Sequence, residues 1–109
     1  MPGIKKKGGR KMEQRTPSKV AKMIKEKQLI HIIDVREVDE VAQGKIPNAT
    51  HIPLGLLEFR MHELDKNTEY TMVCRSGGRS MMAAKLLEDH GYRVVNMSGG
   101  MLEWEGDTE

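Results

Sequence analysis

The sequence predicts an α/β domain built on a mainly parallel sheet. Short apolar segments with strand character alternate with stretches of helical periodicity. The length of 109 residues, with 38% hydrophobic and 31% charged residues, is typical of one soluble domain. This length excludes a two-domain enzyme with separate substrate and cofactor domains.

The first elements follow from capping signals and an apolar run. Residues 12–15 are predicted to form a short edge strand. Thr16 is the predicted N-cap of a helix that has Pro17 at its first position and reaches about Lys27. The almost continuous apolar run at residues 29–35 is typical of a strand buried on both faces of a parallel sheet.

The later elements alternate in the same way. Gly44 is predicted at the C′ position of a short helix over 37–43, and Gly91 is predicted to end a helix over about 79–90. The other predicted elements are a turn at 47–49, a strand at 50–52, a partly helical stretch at 54–64, a turn at 65–67, strands at 70–74 and 93–97, a turn at 98–100 and a terminal helical segment holding Trp104.

The charges are unevenly distributed. Residues 1–28 carry ten basic and two acidic residues (10 − 2 = +8), whereas residues 29–109 carry eight basic and fourteen acidic residues (8 − 14 = −6). We therefore divide the chain into a basic flexible tail at 1–11 and a single domain at 12–109. The tail is interpreted as a solvated segment or a leader, with nucleic acid or an acidic membrane surface as the alternative partner. It has no aromatic residue to stack on bases, and no nucleic-acid site is expected elsewhere.

The cysteine content and hydropathy favour a cytoplasmic location. The single cysteine excludes an internal disulfide, and no apolar run approaches the ~20 residues that span a membrane. The N-terminus lacks the apolar core of a signal peptide. The four histidines show no ligand spacing with Cys74 or with one another, so we expect no metal site, and no cofactor is expected either.

Cys74 is the strongest chemical signal in the chain. It ends a predicted strand and is followed by a loop with two glycines and then a helix, so backbone N–H groups and the helix dipole are expected to point at its sulfur. Arg75 and Arg79 add positive charge. Such a cysteine is expected to be a thiolate near neutral pH and a nucleophile, which indicates sulfur or phosphate chemistry. The predicted cradle comprises Arg75, Ser76, Gly77, Gly78, Arg79 and Ser80.

The spacing within this loop separates the two chemistries. Phosphatases with a cysteine nucleophile place five residues between the cysteine and the arginine that holds phosphate. Here Arg79 follows Cys74 after four residues, and Ser80 occupies the five-spaced position. The shorter loop encloses less space and favours sulfur over phosphate.

Two polar residues follow the strand at 29–35. Ligands of parallel sheets bind at the carboxyl ends of the strands, where Asp34, Arg36 and Cys74 are all expected. Asp34 is interpreted as an acceptor that fixes a loop, with a general base as the alternative. Arg36 is assigned to the pocket rim, with a structural salt bridge as the alternative.

The chain closely resembles the rhodanese family of single-domain sulfurtransferases over about residues 14–106. The resemblance rests on the loop from Cys74 to Ser80, the strand end Ile33-Asp34-Val35-Arg36 with Glu37, the run Gly44-Lys45-Ile46-Pro47-Asn48-Ala49 with His51-Ile52-Pro53, and Gly99-Gly100 followed by Trp104. It implies a central five-stranded sheet with helices on both faces. It also implies that Cys74 takes a sulfane sulfur from thiosulfate or a persulfide donor and passes it to cyanide, a thiol or an acceptor protein.

The resemblance assigns Cys74 as the nucleophile and the loop as the site for a small anionic donor. The family commonly has His and Gly at the positions of Lys45 and Asn48; asparagine tolerates left-handed backbone angles, so the turn is expected to persist. The tandem enzymes' second half-domain is missing, so the site is expected to be open. Because the chain has no second cysteine, an external nucleophile must remove the sulfur. The alternatives are a non-catalytic or redox-sensing module and a phosphatase or arsenate-reducing enzyme.

Overall fold

Five parallel strands form one central sheet in the computed structural model, which describes residues 11–109. The strand order is β1-β5-β4-β2-β3, so the central strand is the one that leads into the cysteine loop. The α/β class and the parallel sheet are therefore confirmed. The strands are β1 (Gln14–Arg15), β2 (His31–Asp34), β3 (Thr50–His51), β4 (Glu69–Val73) and β5 (Arg93–Met97).

Four α-helices in the described part of the chain connect or flank the strands. At the start of the first helix, Thr16 accepts a hydrogen bond from the Lys19 amide at 3.1 Å and Pro17 stands at the first helical position, as predicted. The helices are α1 (Pro17–Lys25), α2 (Val38–Val41), α3 (Leu54–Arg60) and α4 (Gly78–Asp89), with 3-10 turns at Met61–Glu63 and Gly100–Glu103. No helix in residues 11–109 is long and apolar enough to cross a membrane.

Two apolar clusters lie on opposite faces of the sheet. Ile33 and Met72 pack against α3 and α4 in one cluster, whereas their neighbours Ile32 and Val73 belong to the other, which includes Val20 of α1. Successive residues of a strand point to opposite faces, so both of each pair are buried. This arrangement explains the continuous apolar runs in the sequence.

Some predicted boundaries were wrong. β2 begins at His31, and Leu29 is 87% exposed because it follows a turn in which Lys27 has φ +61°. Helix α2 ends at Val41 with Ala42 as its C-cap, so Gly44 is not at C′, although it has φ +131°. Trp104 follows the last 3-10 turn instead of lying in a helix. The predicted tail falls largely on residues 1–10, which lie outside the described residues.

Candidate active site

Cys74 lies directly after the central strand β4, at the carboxyl edge of the sheet. Its side chain is only 1% exposed. The Gly77 amide donates a hydrogen bond to Sγ at 3.1 Å, and Ser80 Oγ lies 3.3 Å from Sγ. The loop thus curls around the sulfur, with the Gly77 amide and the Ser80 hydroxyl within hydrogen-bonding distance of it.

The surroundings of the thiol act on its ionisation in opposite directions. Burial raises the pKa of Cys74, because a charged sulfur loses contact with water. Hydrogen bonds from the Ser80 side chain and from the amides of Ser80, Gly77 and Ser76 stabilise the thiolate and lower the pKa, and their combined effect is larger. The net pKa lies below that of an ordinary thiol. Because the thiolate is the reactive form, this environment favours nucleophilic attack.

The two loop glycines have different roles. Gly77 has φ +104°, and a Cβ there would lie 3.2 Å from the Gly99 nitrogen. Gly78 does not have a positive φ and has open space at its Cβ position. Of these two glycines, only Gly77 adopts a backbone conformation that requires glycine.

The last 3-10 turn fixes the loop from the other side. The amides of Met101 and Leu102 donate to the carbonyls of Cys74 and Arg75, both at 2.9 Å. A Cβ on Gly100 would lie 2.6 Å from the Cys74 carbonyl oxygen and closer still to the Arg75 carbonyl. These contacts turn the loop carbonyls outward and leave the amides for the sulfur. The sequence offered only the Gly99-Gly100 pair as a signal for them.

Asn96 on β5 also supports the loop, and the sequence analysis did not identify it. Its Nδ2 lies 3.4 Å from the Gly77 carbonyl, which also accepts from Ser80 Oγ at 3.2 Å. Its side chain is 1% exposed. The only sequence signal was a polar residue in an apolar strand.

Arg79 forms a two-pronged ion pair with Glu40 of α2, at 2.7 and 2.8 Å. Glu40 also accepts from the Glu37 amide, as part of a capping box at the start of α2. The Arg79 hydrogen bonds lower the pKa of Glu40 to about 2 and raise that of Arg79. The sequence analysis missed Glu40; its position three residues after Glu37 was the available signal.

Replacing Glu40 with glutamine is expected to remove a pH-dependent part of the stability. The pKa of Glu40 falls from 4.5 to about 2 on folding, so the pair stabilises the fold above pH 4.5 and this contribution is lost as the pH falls towards 2. At pH 6 the wild type should exceed Glu40→Gln by about 1 kcal/mol in free energy of unfolding, given solvent screening. Urea unfolding across this pH range measures the difference.

The control for this experiment is Glu105→Gln. Glu105 is exposed and makes no ion pair within residues 11–109. The Glu105→Gln variant should show the same pH dependence of the free energy of unfolding as the wild type. An unchanged pH dependence in Glu40→Gln would show that the pair does not contribute.

Arg36 and Asp34 form a buried ion pair beside the loop. Arg36 Nη2 lies 2.8 Å from Asp34 Oδ2, and Asp34 Oδ1 accepts from the Arg36 amide at 3.0 Å. Arg36 is only 6% exposed and also donates to the Gly44 carbonyl at 2.8 Å. Its carbonyl is bound by His51 Nε2 at 2.7 Å. Asp34 thus accepts hydrogen bonds that fix the backbone and side chain of Arg36 just after β2, and Arg36 makes the structural salt bridge named above as the alternative.

Arg75 is the exposed cation of the loop. Its guanidinium makes no ion pair with any residue in 11–109. It lines a cavity of about 340 Å³ together with Arg36, Gln43 and Trp104. An anionic ligand at this edge would therefore meet the uncompensated charge of Arg75.

Within residues 11–109, no three His, Cys, Asp or Glu side chains converge as a metal site would require.

Comparisons with known proteins agree with this geometry. Residues 16–107 match the model of the rhodanese-like domain. The Bacillus subtilis protein "Putative sulfurtransferase YtwF" is 50% identical over 80 residues, which cover 73% of this chain and 78% of that protein. The Allochromatium vinosum "Sulfurtransferase" is 42% identical over 74 residues, with 67% and 69% covered.

Solved structures show the same fold. A rhodanese-like domain protein from Staphylococcus aureus superposes with a TM-score of 0.85 at 34% identity, covering 90% of this chain and 97% of that one. The predicted resemblance is confirmed by the family match and by this superposition. The chain belongs to the rhodanese-like domain family.

Proposed function

We propose that this protein is a sulfurtransferase that carries a sulfane sulfur on Cys74. In the first step the Cys74 thiolate attacks the outer sulfur of thiosulfate, the S–S bond breaks, and sulfite leaves with its electron pair. In the second step an acceptor such as cyanide attacks the persulfide, and the electron pair returns to Sγ. Thiocyanate leaves, and the thiolate is regenerated without an oxidant or reductant.

The observation that carries the proposal is the ring of donors around Cys74 Sγ. The Gly77 amide donates to Sγ at 3.1 Å and stabilises negative charge on sulfur before attack, and the Ser80 hydroxyl, 3.3 Å from Sγ, is placed to turn its proton from the Gly77 carbonyl to the sulfur once the thiol is ionised. The same donors suit the anionic terminal sulfur of a persulfide. Arg75 attracts an anionic donor because no carboxylate among residues 11–109 pairs with its guanidinium. The two relatives named as sulfurtransferases support this assignment.

The charge of Arg75 and the single cysteine of the sequence indicate the classes of sulfur donor and acceptor. The donor is a small anion of the thiosulfate type or a persulfide. The acceptor is cyanide, a low-molecular-weight thiol or a cysteine of a protein; it must be an external nucleophile, because the only cysteine of the sequence already carries the sulfur.

The test is thiosulfate loading followed by cyanide. Incubation with thiosulfate should add the mass of one sulfur atom to the intact protein, and cyanide should then release thiocyanate and restore the original mass. Protein that gains no sulfur from excess thiosulfate or from a persulfide donor would overturn the proposal. Mass spectrometry before and after cyanide distinguishes the outcomes.

A further inference from the structure

Asn96 is a buried polar residue of β5, and only the nitrogen of its side-chain amide makes hydrogen bonds within the described chain. Its Oδ1 is buried and has no hydrogen-bond partner among residues 11–109. A buried acceptor without a donor is costly, and a leucine of similar size would avoid this cost. The reason for an asparagine at this position is therefore to be sought in its Nδ2.

The neighbours of Asn96 fix the orientation of its side-chain amide. Nδ2 lies 3.4 Å from the Gly77 carbonyl oxygen and 3.2 Å from Gln14 Oε1. Because a backbone carbonyl only accepts hydrogen bonds, the side-chain atom that faces it is the nitrogen. The main chain is held as well, since the Asn96 backbone amide donates to the Glu13 carbonyl at 2.9 Å. Nδ2 is thus a fixed donor directed at the cysteine loop.

Three donors converge on the Gly77 carbonyl. The Met81 amide and the Ser80 hydroxyl each lie 3.2 Å from its oxygen, and Asn96 Nδ2 is the third donor at 3.4 Å. A carbonyl oxygen has two lone pairs, so one of these three donors is in excess. Ser80 is the donor that has another acceptor within reach, because its Oγ lies 3.3 Å from Cys74 Sγ.

The Ser80 hydroxyl has a different acceptor in each ionisation state of the thiol. In the thiol form, the S–H of Cys74 donates to Ser80 Oγ, and the Ser80 proton points at the Gly77 carbonyl. When the thiol proton is lost to water, the sulfur becomes the stronger acceptor and the Ser80 hydroxyl turns to it. The Ser80 proton stays on its own oxygen throughout. This turn leaves the Gly77 carbonyl with the Met81 amide and Asn96 Nδ2 as its donors.

We propose that Asn96 is a positioning residue: its Nδ2 occupies the second acceptor site of the Gly77 carbonyl when the Ser80 hydroxyl turns to the ionised sulfur. Without this donor, the turn would leave a buried lone pair unsatisfied, and the thiolate would be less stable relative to the thiol. Asn96 thus acts on the sulfur through Ser80. Its effect on sulfur transfer rests on the proposed function, whereas its effect on the ionisation of Cys74 does not.

Several charged side chains lie on the elements that surround the loop, and a change at position 96 leaves all of them in place. Arg79 interacts electrostatically with the Cys74 sulfur. The charged residues are Arg75 in the loop, Arg79 with its partner Glu40, the Asp34–Arg36 pair after β2, Glu37 at the start of α2 and Glu103 in the last 3-10 turn. Asparagine and its apolar substitutes are uncharged, so a change in ionisation caused at position 96 reports the hydrogen bonds around the Gly77 carbonyl.

The test is a double-mutant cycle followed by the pH dependence of iodoacetamide alkylation. The four proteins are the wild type, Asn96→Leu, Ser80→Ala and the variant with both changes. Asn96→Leu should raise the alkylation midpoint by about half a pH unit, which corresponds to the loss of one ordinary hydrogen bond. In the Ser80→Ala background the same substitution should cause no further shift, because the hydroxyl that turns is absent.

Measurements of stability separate this role from a purely structural one. Asn96→Leu removes the unpartnered Oδ1 and should unfold at the urea concentration of the wild type or a higher one. Val95→Ala is the matched control, because Val95 is the neighbouring buried residue of β5 and points to the opposite face. It should unfold at a lower urea concentration and keep the wild-type alkylation midpoint. Asn96→Val, which suits a buried strand and also lacks the donor, replaces the leucine variant if that variant does not fold.

Thiocyanate formation extends the test to sulfur transfer. Below the wild-type midpoint, Asn96→Leu should be about threefold slower, which is the half-unit shift expressed as the fraction of thiolate, and it should approach the wild-type rate at high pH. An unchanged alkylation midpoint, or an equal shift with and without the Ser80 hydroxyl, would overturn the role of Asn96. A wild type that forms no thiocyanate with any sulfur donor would overturn the proposed function alone, because alkylation is measured without a donor.

Discussion

Cys74→Ala is expected to reduce thiocyanate formation from thiosulfate and cyanide to the uncatalysed background, a loss of about a thousandfold or more. No other side chain of the protein can form the persulfide, because the sequence contains one cysteine. The fold should persist, since the substitution removes a single buried atom at a cost of about 1 kcal/mol. Steady-state assays measure the loss of thiocyanate formation, and intact mass after incubation with thiosulfate measures the loss of sulfur loading.

The matched control for this variant is Thr71→Ala. Thr71 lies on β4, the strand that leads into Cys74; it is 1% exposed, and its hydroxyl has no hydrogen-bond partner among residues 11–109. It therefore tests a small buried truncation away from the sulfur and should keep wild-type transfer. Transfer by Cys74→Ala at a substantial fraction of the wild-type rate would show that the sulfur travels by another route.

Gly100→Ala should damage the site without touching any reacting atom. Its Cβ would lie 2.6 Å from the Cys74 carbonyl oxygen, and the residue has φ +60°, which alanine adopts only under strain. The loop must shift away, so the amides lose their alignment with Sγ. We expect about a hundredfold loss of transfer rate and about 2–3 kcal/mol of lost stability. Thiocyanate assays and urea unfolding measure both.

Gly55→Ala is the control for the glycine substitution. Gly55 lies in α3, has ordinary backbone angles, and its Cβ position is open. Alanine there should stabilise the helix by about 0.5–1 kcal/mol and leave transfer unchanged. Wild-type kinetics in Gly100→Ala would contradict the role given to the last 3-10 turn.

Local signals in the sequence predicted most of the fold. Thr16 and Pro17 define the start of α1 through their own chemistry, and β5 was predicted with its observed bounds because its apolar run is short and well delimited. Asn48 was expected to tolerate a left-handed turn and has φ +69°. The error at Leu29 arises because a turn delays the start of β2 beyond the start of its apolar pattern, and the error at Gly44 arises because α2 ends before its helical pattern does.

The site was less predictable because its contacts join distant parts of the chain. The curl at Gly77 follows from a local glycine, but the partner of Arg79 is 39 residues away. Asn96 reaches the Gly77 carbonyl only because β5 lies beside β4 in the sheet order. The burial of Arg36 likewise depends on the return of the chain at Gly44. Such pairings require the sheet order, which the linear pattern does not specify.

The ionisation of Cys74 is the property on which reactivity depends. The rate of alkylation by iodoacetamide, followed against pH, reports the fraction of thiolate directly. The expected midpoint lies below the ordinary thiol value of about 8.5, and Ser80→Ala should move it upward because that hydroxyl lowers the pKa of Cys74. A midpoint at or above the ordinary value in the wild type would contradict an amide and hydroxyl cradle that holds the sulfur as an anion.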